Sequence, residues 1–260
     1  MGAGMSINRK LWTSTLNKGF VPQWQCPGCG AAALSIVKDS FQTTYDAETA
    51  DKADDRNFAS EDATGRFVCL LQCGRSGCGE TCAVSGNYST GVADTDRGYF
   101  EYEDCQPLSI TPPPPVIQIP PGCPEPIKQE VLSAFMLHWS DYASCLNRIR
   151  NALELLLTDL KVPRTTVNNR RKRVLHSLHA RIQILEHAKP RLRDICERMM
   201  AVKHLGNAGS HSGVKVERKD VFDGFDILER VLHDMYSTTD SELAKMVRQI
   251  NKREGPRKKI

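Results

Sequence analysis

Cys26-Pro27-Gly28-Cys29-Gly30 is the stretch on which the reading of this chain turns. Two thiolates separated by two residues can grip one ion from a tight turn. The glycine after the second cysteine lets the backbone curl and aim its amides at sulfur. A tetrahedral site needs a second pair, and the candidates are Cys69, Cys73, Cys78 and Cys82. Cys73 and Cys78 are the best match. They frame Gly74-Arg75-Ser76-Gly77, and Gly79 follows Cys78 as Gly30 follows Cys29. Cys69 lies in an apolar run and reads as core, while Cys82, just past the turn, is the main rival. Between Cys29 and Cys73 lie 43 residues, more than a usual zinc finger allows. A hairpin carrying an inserted acidic loop would span them. The expected set is Cys26, Cys29, Cys73 and Cys78 around a structural Zn2+, since four cysteines leave no open coordination position.

The rest of the composition agrees with this. Eight of the ten cysteines fall in the first 123 residues, so the enrichment is local. In a reducing compartment, clustered cysteines hold metal more often than they form disulfides. No run of eighteen apolar residues is present, and the first thirty residues lack a secretory pattern, so the expectation is a cytoplasmic protein away from membranes. Trp12, Phe20 and Trp24 are available for local packing. Arg66-Phe67-Val68-Cys69-Leu70-Leu71 and Gly98-Tyr99-Phe100-Glu101-Tyr102 read as strands, and Asp46 to Gly65 as an exposed loop. Cys105, Cys123, Cys145 and Cys196 are scattered; the last two read as helix packing residues.

Pro112 to Pro115, Pro120, Pro121, Pro124 and Pro126 then interrupt the chain. Consecutive prolines favour an extended linker. Beyond them the periodicity becomes helical. Leu146, Ile149, Leu153, Leu156 and Leu160 form one apolar stripe. Arg171, Leu175, Leu178, Ile182 and Leu185 form a second. Leu192, Ile195, Met199 and Val202 form a third, entered through Pro190. Phe225, Leu228, Leu232 and Met235 form a fourth, with Asp220 as the expected N-cap and Asp223 in the first turn. Leu243, Val247 and Ile250 end the series. Each stripe must bury, so about five helices should pack together. The expected fold class is therefore α+β. Residues 1–110 form a small β-rich zinc-ribbon-like module and 111–126 a proline-rich linker. An all-α bundle covers 127–252 and a basic tail 253–260.

Lys203-His204-Leu205-Gly206-Asn207-Ala208-Gly209-Ser210-His211 is unusual within that bundle. Gly206 and Asn207 make a plausible helix stop. The same residues can also do chemistry. His211 suits a general base near neutral pH, Asn207 can orient it or hold a phosphate, and Lys203 can oppose developing negative charge. Arg150 and Glu154 lie four apart on one helix, as an ion pair would. Arg170 to Arg173 and the tail from Lys252 to Lys259 are basic and suit a phosphate backbone.

Arg150 to Glu154, Leu178 to Ile182, Lys203 to His211 and Asp220 to Tyr236 together resemble the bacterial family catalogued as domain of unknown function 4145, grouped with the HEPN helical domains. The resemblance covers roughly residues 125–240. It implies a helical bundle that forms a homodimer. It also implies either a metal-independent RNase, in which the RNA 2′-hydroxyl attacks its own phosphate, or a noncatalytic dimerisation and interaction module. On this match His211 and Asn207 are the histidine and polar residue. The expected arginine position holds Gly206, so Lys203 and Arg150 become the cationic candidates, with Arg181 a weaker one. The implied setting is bacterial defence or stress response. RNA or another nucleic acid would be the partner, and the cysteine module a second surface for nucleic acid or protein. A zinc hydrolase does not fit, because no His-x-x-x-His spacing occurs and the cysteine set is closed.

Overall fold

Strand β3, Thr64–Cys73, organises the first half. Its side chains alternate strictly, with Gly65, Phe67, Cys69, Leu71 and Cys73 inward and the intervening residues outward. That period of two is what a sheet with one buried face demands. The computed structural model describes residues 7–53, 58, 63–96, 98–208, 215–237 and 239–253. Around β3, β1 (Leu34–Ile36) and β2 (Gln42–Tyr45) pair antiparallel along one edge, and β4 (Thr81–Thr95) along the other. β5 (Gly98–Thr111) completes a five-stranded antiparallel sheet. β4 and β5 run on beyond β3 as a two-stranded ribbon. Its end exposes Tyr99, Phe100 and Tyr102 beside Asp94, Glu101 and Glu103. Two helices also belong to this half: α1 (Arg9–Thr13) and α2 (Ala47–Ala53). The second replaces part of the expected Asp46–Gly65 loop. The Asp46 carboxylate caps it by accepting the Thr49 N–H at 3.0 Å. Trp12 and Trp24 are buried as expected, whereas Phe20 stays exposed.

The second half is helical. α3 (Glu125–Leu137) opens it, with Ile127, Val131, Ala134 and Phe135 inward. Its proline-led start hid it from the periodicity reading. α4 (Tyr142–Asp159) buries the first expected stripe, and the Asp141 carboxylate accepts the Ser144 N–H as its cap. α5 (Leu178–Ala188) is shorter than its stripe predicted. Residues 165–175 form instead a hairpin of β6 (Thr165–Val167) and β7 (Arg173–Leu175). Thus Arg171 and Leu175 are not helical, and the second half is not all-α. The cause is local: Asn168 closes the turn by accepting the N–H groups of Arg170 and Lys172, and Ser177 starts the helix afresh by accepting from Ala180. A 3₁₀ turn at Pro190–Leu192 leads into α6 (Arg193–Ala208). α7 (Arg218–Tyr236) has Glu217 at its N-cap, with Asp220 three residues later in a reciprocal capping box rather than at the cap itself. α8 (Thr239–Arg253) follows. Its Val247 and Ile250 remain exposed, and the Leu243 side chain of that expected stripe lies outside the described ones. No helix among the described residues is long and apolar enough to cross a membrane.

The proline-rich stretch does not hang free. Val116, Ile117 and Cys123 are buried, and one continuous apolar core takes in both halves. At the joint Trp12 stacks on Trp24 at 6.4 Å between ring centroids, and Trp24 meets Trp139 edge-on at 5.2 Å. The Gln118 N–H donates to buried Glu229 at 2.6 Å, and the Ile7 N–H donates to Asp226 at 2.7 Å.

His138 sits in this joint, 2% exposed, with Nδ1 2.7 Å from the Phe135 carbonyl oxygen. Burial holds its pKa down at about 4. The unfolded chain, with an ordinary histidine, therefore takes up a proton that the folded chain refuses. Stability contributed by neutral His138 is complete above about pH 6.5 and drains as the pH falls towards about 4, by roughly 3 kcal/mol at the limit. Urea unfolding across that window should show the slope, and His138→Leu should flatten it.

Candidate metal centre

The first knuckle leaves Trp24 and enters β1. The Gly30 N–H donates to the Cys26 carbonyl at 2.8 Å, and the Cys26 N–H donates to the Ala32 carbonyl, also at 2.8 Å. These bonds close a turn in which Gly30 has φ +62°, a left-handed conformation natural to glycine. Gly28 is held for a different reason: a Cβ there would lie 2.9 Å from the Glu80 side chain. The second knuckle leaves β3 at Cys73 and re-enters the sheet at β4. The Cys78 N–H donates to the Arg75 carbonyl, and the Cys73 N–H to the Glu80 carbonyl. Gly79 has φ +67°, matching Gly30. The two Cys-Gly endings are the same backbone solution used twice.

Sheet register brings the knuckles together. Leu34 pairs with Cys73 across β1 and β3, and the Gly74 N–H reaches the Ala33 carbonyl. The long interval between the cysteine pairs is thereby folded away into β1, β2, α2 and β3. Sγ of Cys26 lies 3.7 Å from that of Cys78, and Sγ of Cys29 lies 3.7 Å from that of Cys73. All four sulfurs fall within 4.8 Å of one another, and they could hold a metal ion. Metal–sulfur bonds of about 2.3 Å in a tetrahedron would set sulfurs about 3.8 Å apart, so the spacing fits a thiolate-bound ion. The Gly28 N–H points at Cys26 Sγ from 3.3 Å and the Arg75 N–H at Cys73 Sγ from 3.4 Å, partly offsetting thiolate charge. The Ala31 N–H, and after it the neighbouring thiols, hold Cys29 down at about 6. Cys82 and Cys69 are not in the group. Cys82 is wholly buried on β4, its thiol pushed up to about 12 by burial, and Cys69 is buried on β3 at about 11 for the same reason.

The other candidate residues lie in the helical half. Lys203 and Asn207 are half-buried, one turn apart near the end of α6. Gly206 lies between them inside the helix, which runs on to Ala208, so it is not the helix stop its sequence suggested. Its role is closeness: a Cβ on Gly206 would lie 2.9 Å from Cβ of Arg150 on α4. Arg150 therefore stands beside the Lys203–Asn207 turn. It also pairs with Glu154 at 3.6 Å. Arg181 is 1% exposed and spans α5 and α4, donating to the Glu154 carboxylate, the Thr158 hydroxyl and the Val162 carbonyl. It is a structural tie. His211 lies outside the described residues. Sequence reading placed the Arg170–Arg173 cations on a helix, whereas the structure carries them on the β6–β7 hairpin; the β-branched run Thr165-Thr166-Val167 before Asn168 was the available signal.

Two family models match the chain. Residues 133–253 match a domain of unknown function (DUF4145), and residues 14–106 match another domain of unknown function (DUF8608). The first spans most of the helical half, from within α3 to the end of α8. The second takes in both cysteine knuckles and most of the sheet. No curated protein and no solved structure matches.

Metal content of the purified chain should be one ion per molecule. Cys26→Ser and Cys73→Ser should each lose it, while Cys69→Ser and Cys82→Ala should keep it. Because the ligands bind as thiolates, acid should release the ion as protons compete for sulfur. Cobalt(II) loading followed by its thiolate charge-transfer absorption reads each case.

Proposed function

We propose that this is a nucleic-acid-associated protein of HEPN type, with a structural zinc ion in a zinc-ribbon-like first half and a polyanion-gripping surface on the second. The observation that carries the reading is the β6–β7 hairpin. Arg170, Arg171, Lys172 and Arg173 are all exposed there, Lys161 and Arg164 are exposed just before it, and no aspartate or glutamate occurs between residues 161 and 181. A solvated helix face interleaves charges of both signs; this hairpin does not. Four cations at the end of a narrow two-stranded ribbon, with two more just before it, suit a phosphate backbone. The opposite sign governs the far end of the β4–β5 ribbon, where Asp94, Glu101, Glu103 and Asp104 would repel phosphate. Nucleic acid is therefore expected on the helical half. Four soft thiolates favour zinc among common intracellular ions and leave it no free position, which makes the ion a clamp for the sheet. Ten cysteines without a disulfide among them suit a reducing cytoplasm.

In the catalytic form of this reading His211 is the base, Asn207 orients it, and Lys203 with Arg150 opposes charge on the phosphate. Arg150 beside Gly206 is the arrangement that supports it. A noncatalytic, homodimeric interaction module is the second reading. It is favoured by the tie of Arg150 to Glu154, which already employs the guanidinium.

Fluorescence anisotropy with single-stranded RNA should show binding that weakens with salt. Replacing Arg170, Arg171, Lys172 and Arg173 by alanine should lower the slope of log affinity against log salt by about 3. An unchanged slope would remove the hairpin from the interface. Incubation with RNA in EDTA, with zinc content recorded before and after, separates the two forms. Cleavage by the parent but not by His211→Ala supports the RNase; equal cleavage by both removes His211 from the chemistry.

A further inference from the structure

The β6–β7 hairpin is exposed on both of its faces. Every residue from Thr166 to Leu175 is exposed, with Val167 at 63% and Leu175 at 76%. A lone two-stranded hairpin is marginal in water, and this one is held at its tip. The Asn168 N–H donates to the Lys172 carbonyl at 3.0 Å, and the Arg171 N–H donates to the Asn168 carbonyl at 2.9 Å. The Asn168 side chain is engaged in the same turn, so Arg170, Arg171 and Lys172 are carried on a closed loop. Cross-strand neighbours share a face of a ribbon. Thr165, Val167, Arg173 and Leu175 therefore lie on one side, and Thr166 and Val174 on the other. Among the described residues, none of the cations from Lys161 to Arg173 is in an ion pair.

The make-up of the hairpin discriminates among nucleic acids. Single strands are held by stacking their bases on aromatic rings, and no phenylalanine, tyrosine or tryptophan occurs between residues 161 and 181. The exposed Tyr99, Phe100 and Tyr102 stand on the acidic β4–β5 ribbon, where phosphate is repelled. Duplex RNA offers a major groove too narrow for side chains to read. The major groove of B-form DNA is about 12 Å wide and admits a two-stranded ribbon, whose strands lie about 4.8 Å apart. Within such a groove both faces of the hairpin are covered. The cations find phosphates and the O6 and N7 acceptors of guanine, and the aliphatic Val167 and Leu175 find thymine methyl groups instead of water.

We propose that the β6–β7 hairpin enters the major groove of double-stranded, B-form DNA. The inference rests on the reading of this hairpin as the phosphate-gripping surface, and it names the nucleic acid that the surface takes. Single-stranded RNA still binds through the same cations, but more weakly, because it offers no groove to the exposed aliphatic side chains. DNA carries no 2′-hydroxyl, so the inference goes with the noncatalytic form of that reading.

The test is fluorescence anisotropy with the full, metal-loaded chain at one fixed salt concentration. The probes are a short DNA duplex, the same duplex with glucosylated 5-hydroxymethylcytosine filling its major groove, a duplex RNA of the same sequence, and a single-stranded RNA. The plain DNA duplex should bind roughly tenfold or more tighter than each of the others. Equal affinity for the plain and glucosylated duplexes, or tightest binding to either RNA, overturns the groove and leaves the nucleic-acid reading in place. Binding to none of the probes overturns both. Replacing Arg170, Arg171, Lys172 and Arg173 by alanine, with circular dichroism to verify folding, should abolish the preference for the plain duplex. A variant that keeps the preference shows that another surface reads the groove and overturns the proposal. Val167→Ala combined with Leu175→Ala should weaken binding to the plain duplex several-fold at every salt concentration and leave the slope against salt unchanged, because only apolar contact is lost. Unaltered affinity in that variant places the hairpin outside the groove.

Discussion

Trp24 is the residue through which the two halves of this protein constrain each other. Its indole is fully buried, donates from Nε1 to the Leu11 carbonyl, stacks on Trp12 and meets Trp139 at the end of α3. Two residues later the chain reaches Cys26. The Trp24 carbonyl accepts the N–H of Leu34, which opens β1 and pairs with Cys73. The same short segment therefore sets the first cysteine knuckle, its register against the second, and the aromatic seam to the helices. Aromatic pairs of this kind contribute about 0.5–1.5 kcal/mol each beyond the area they bury. Their larger effect here is geometric, because displacing the indole would move a sulfur.

Charge is distributed on a different logic from the core. The cationic β6–β7 hairpin and the acidic, aromatic end of the β4–β5 ribbon are both exposed two-stranded elements outside the main packing. Neither is needed to complete the core. Short ribbons that stand clear of the body cost little core packing and can carry one sign of charge because their neighbours do not have to be buried. The helical half adds a third exposed feature in α8. These three elements, rather than the interior, carry the exposed charge and exposed apolar side chains.

Much of this was legible in the chain. Ligand spacing and the repeated Cys-Gly endings singled out Cys26, Cys29, Cys73 and Cys78 as one set, because a tetrahedral ion needs thiols on tight turns and glycine needs no Cβ clearance at φ near +60°. The stripes of α4, α6 and α7 were equally plain, since burying one face imposes a period of 3.6. The failures also had local causes. Arg171 and Leu175 happened to continue the spacing of α5, but Asn168 and Ser177 hydrogen-bond the backbone into a turn and a fresh cap. Gly206 looked like a helix stop, yet its missing side chain answers to a residue 56 positions earlier, Arg150.

What the sequence determined by itself was therefore the set of local obligations: which thiols could share an ion, which faces must be buried, and where the backbone needs glycine. Those depend on near neighbours and on periods of two and 3.6. Tertiary structure alone decided the rest. It laid the proline-rich stretch into the core instead of leaving it as a linker, because Val116, Ile117 and Cys123 find apolar surface on both sides. It also set Arg150 beside Gly206, aligned Asp220, Asp223 and Asp226 along one cleft, and left Met246, Val247 and Ile250 of α8 exposed. Each of these depends on which distant segments meet, and that is settled by the packing of the whole chain.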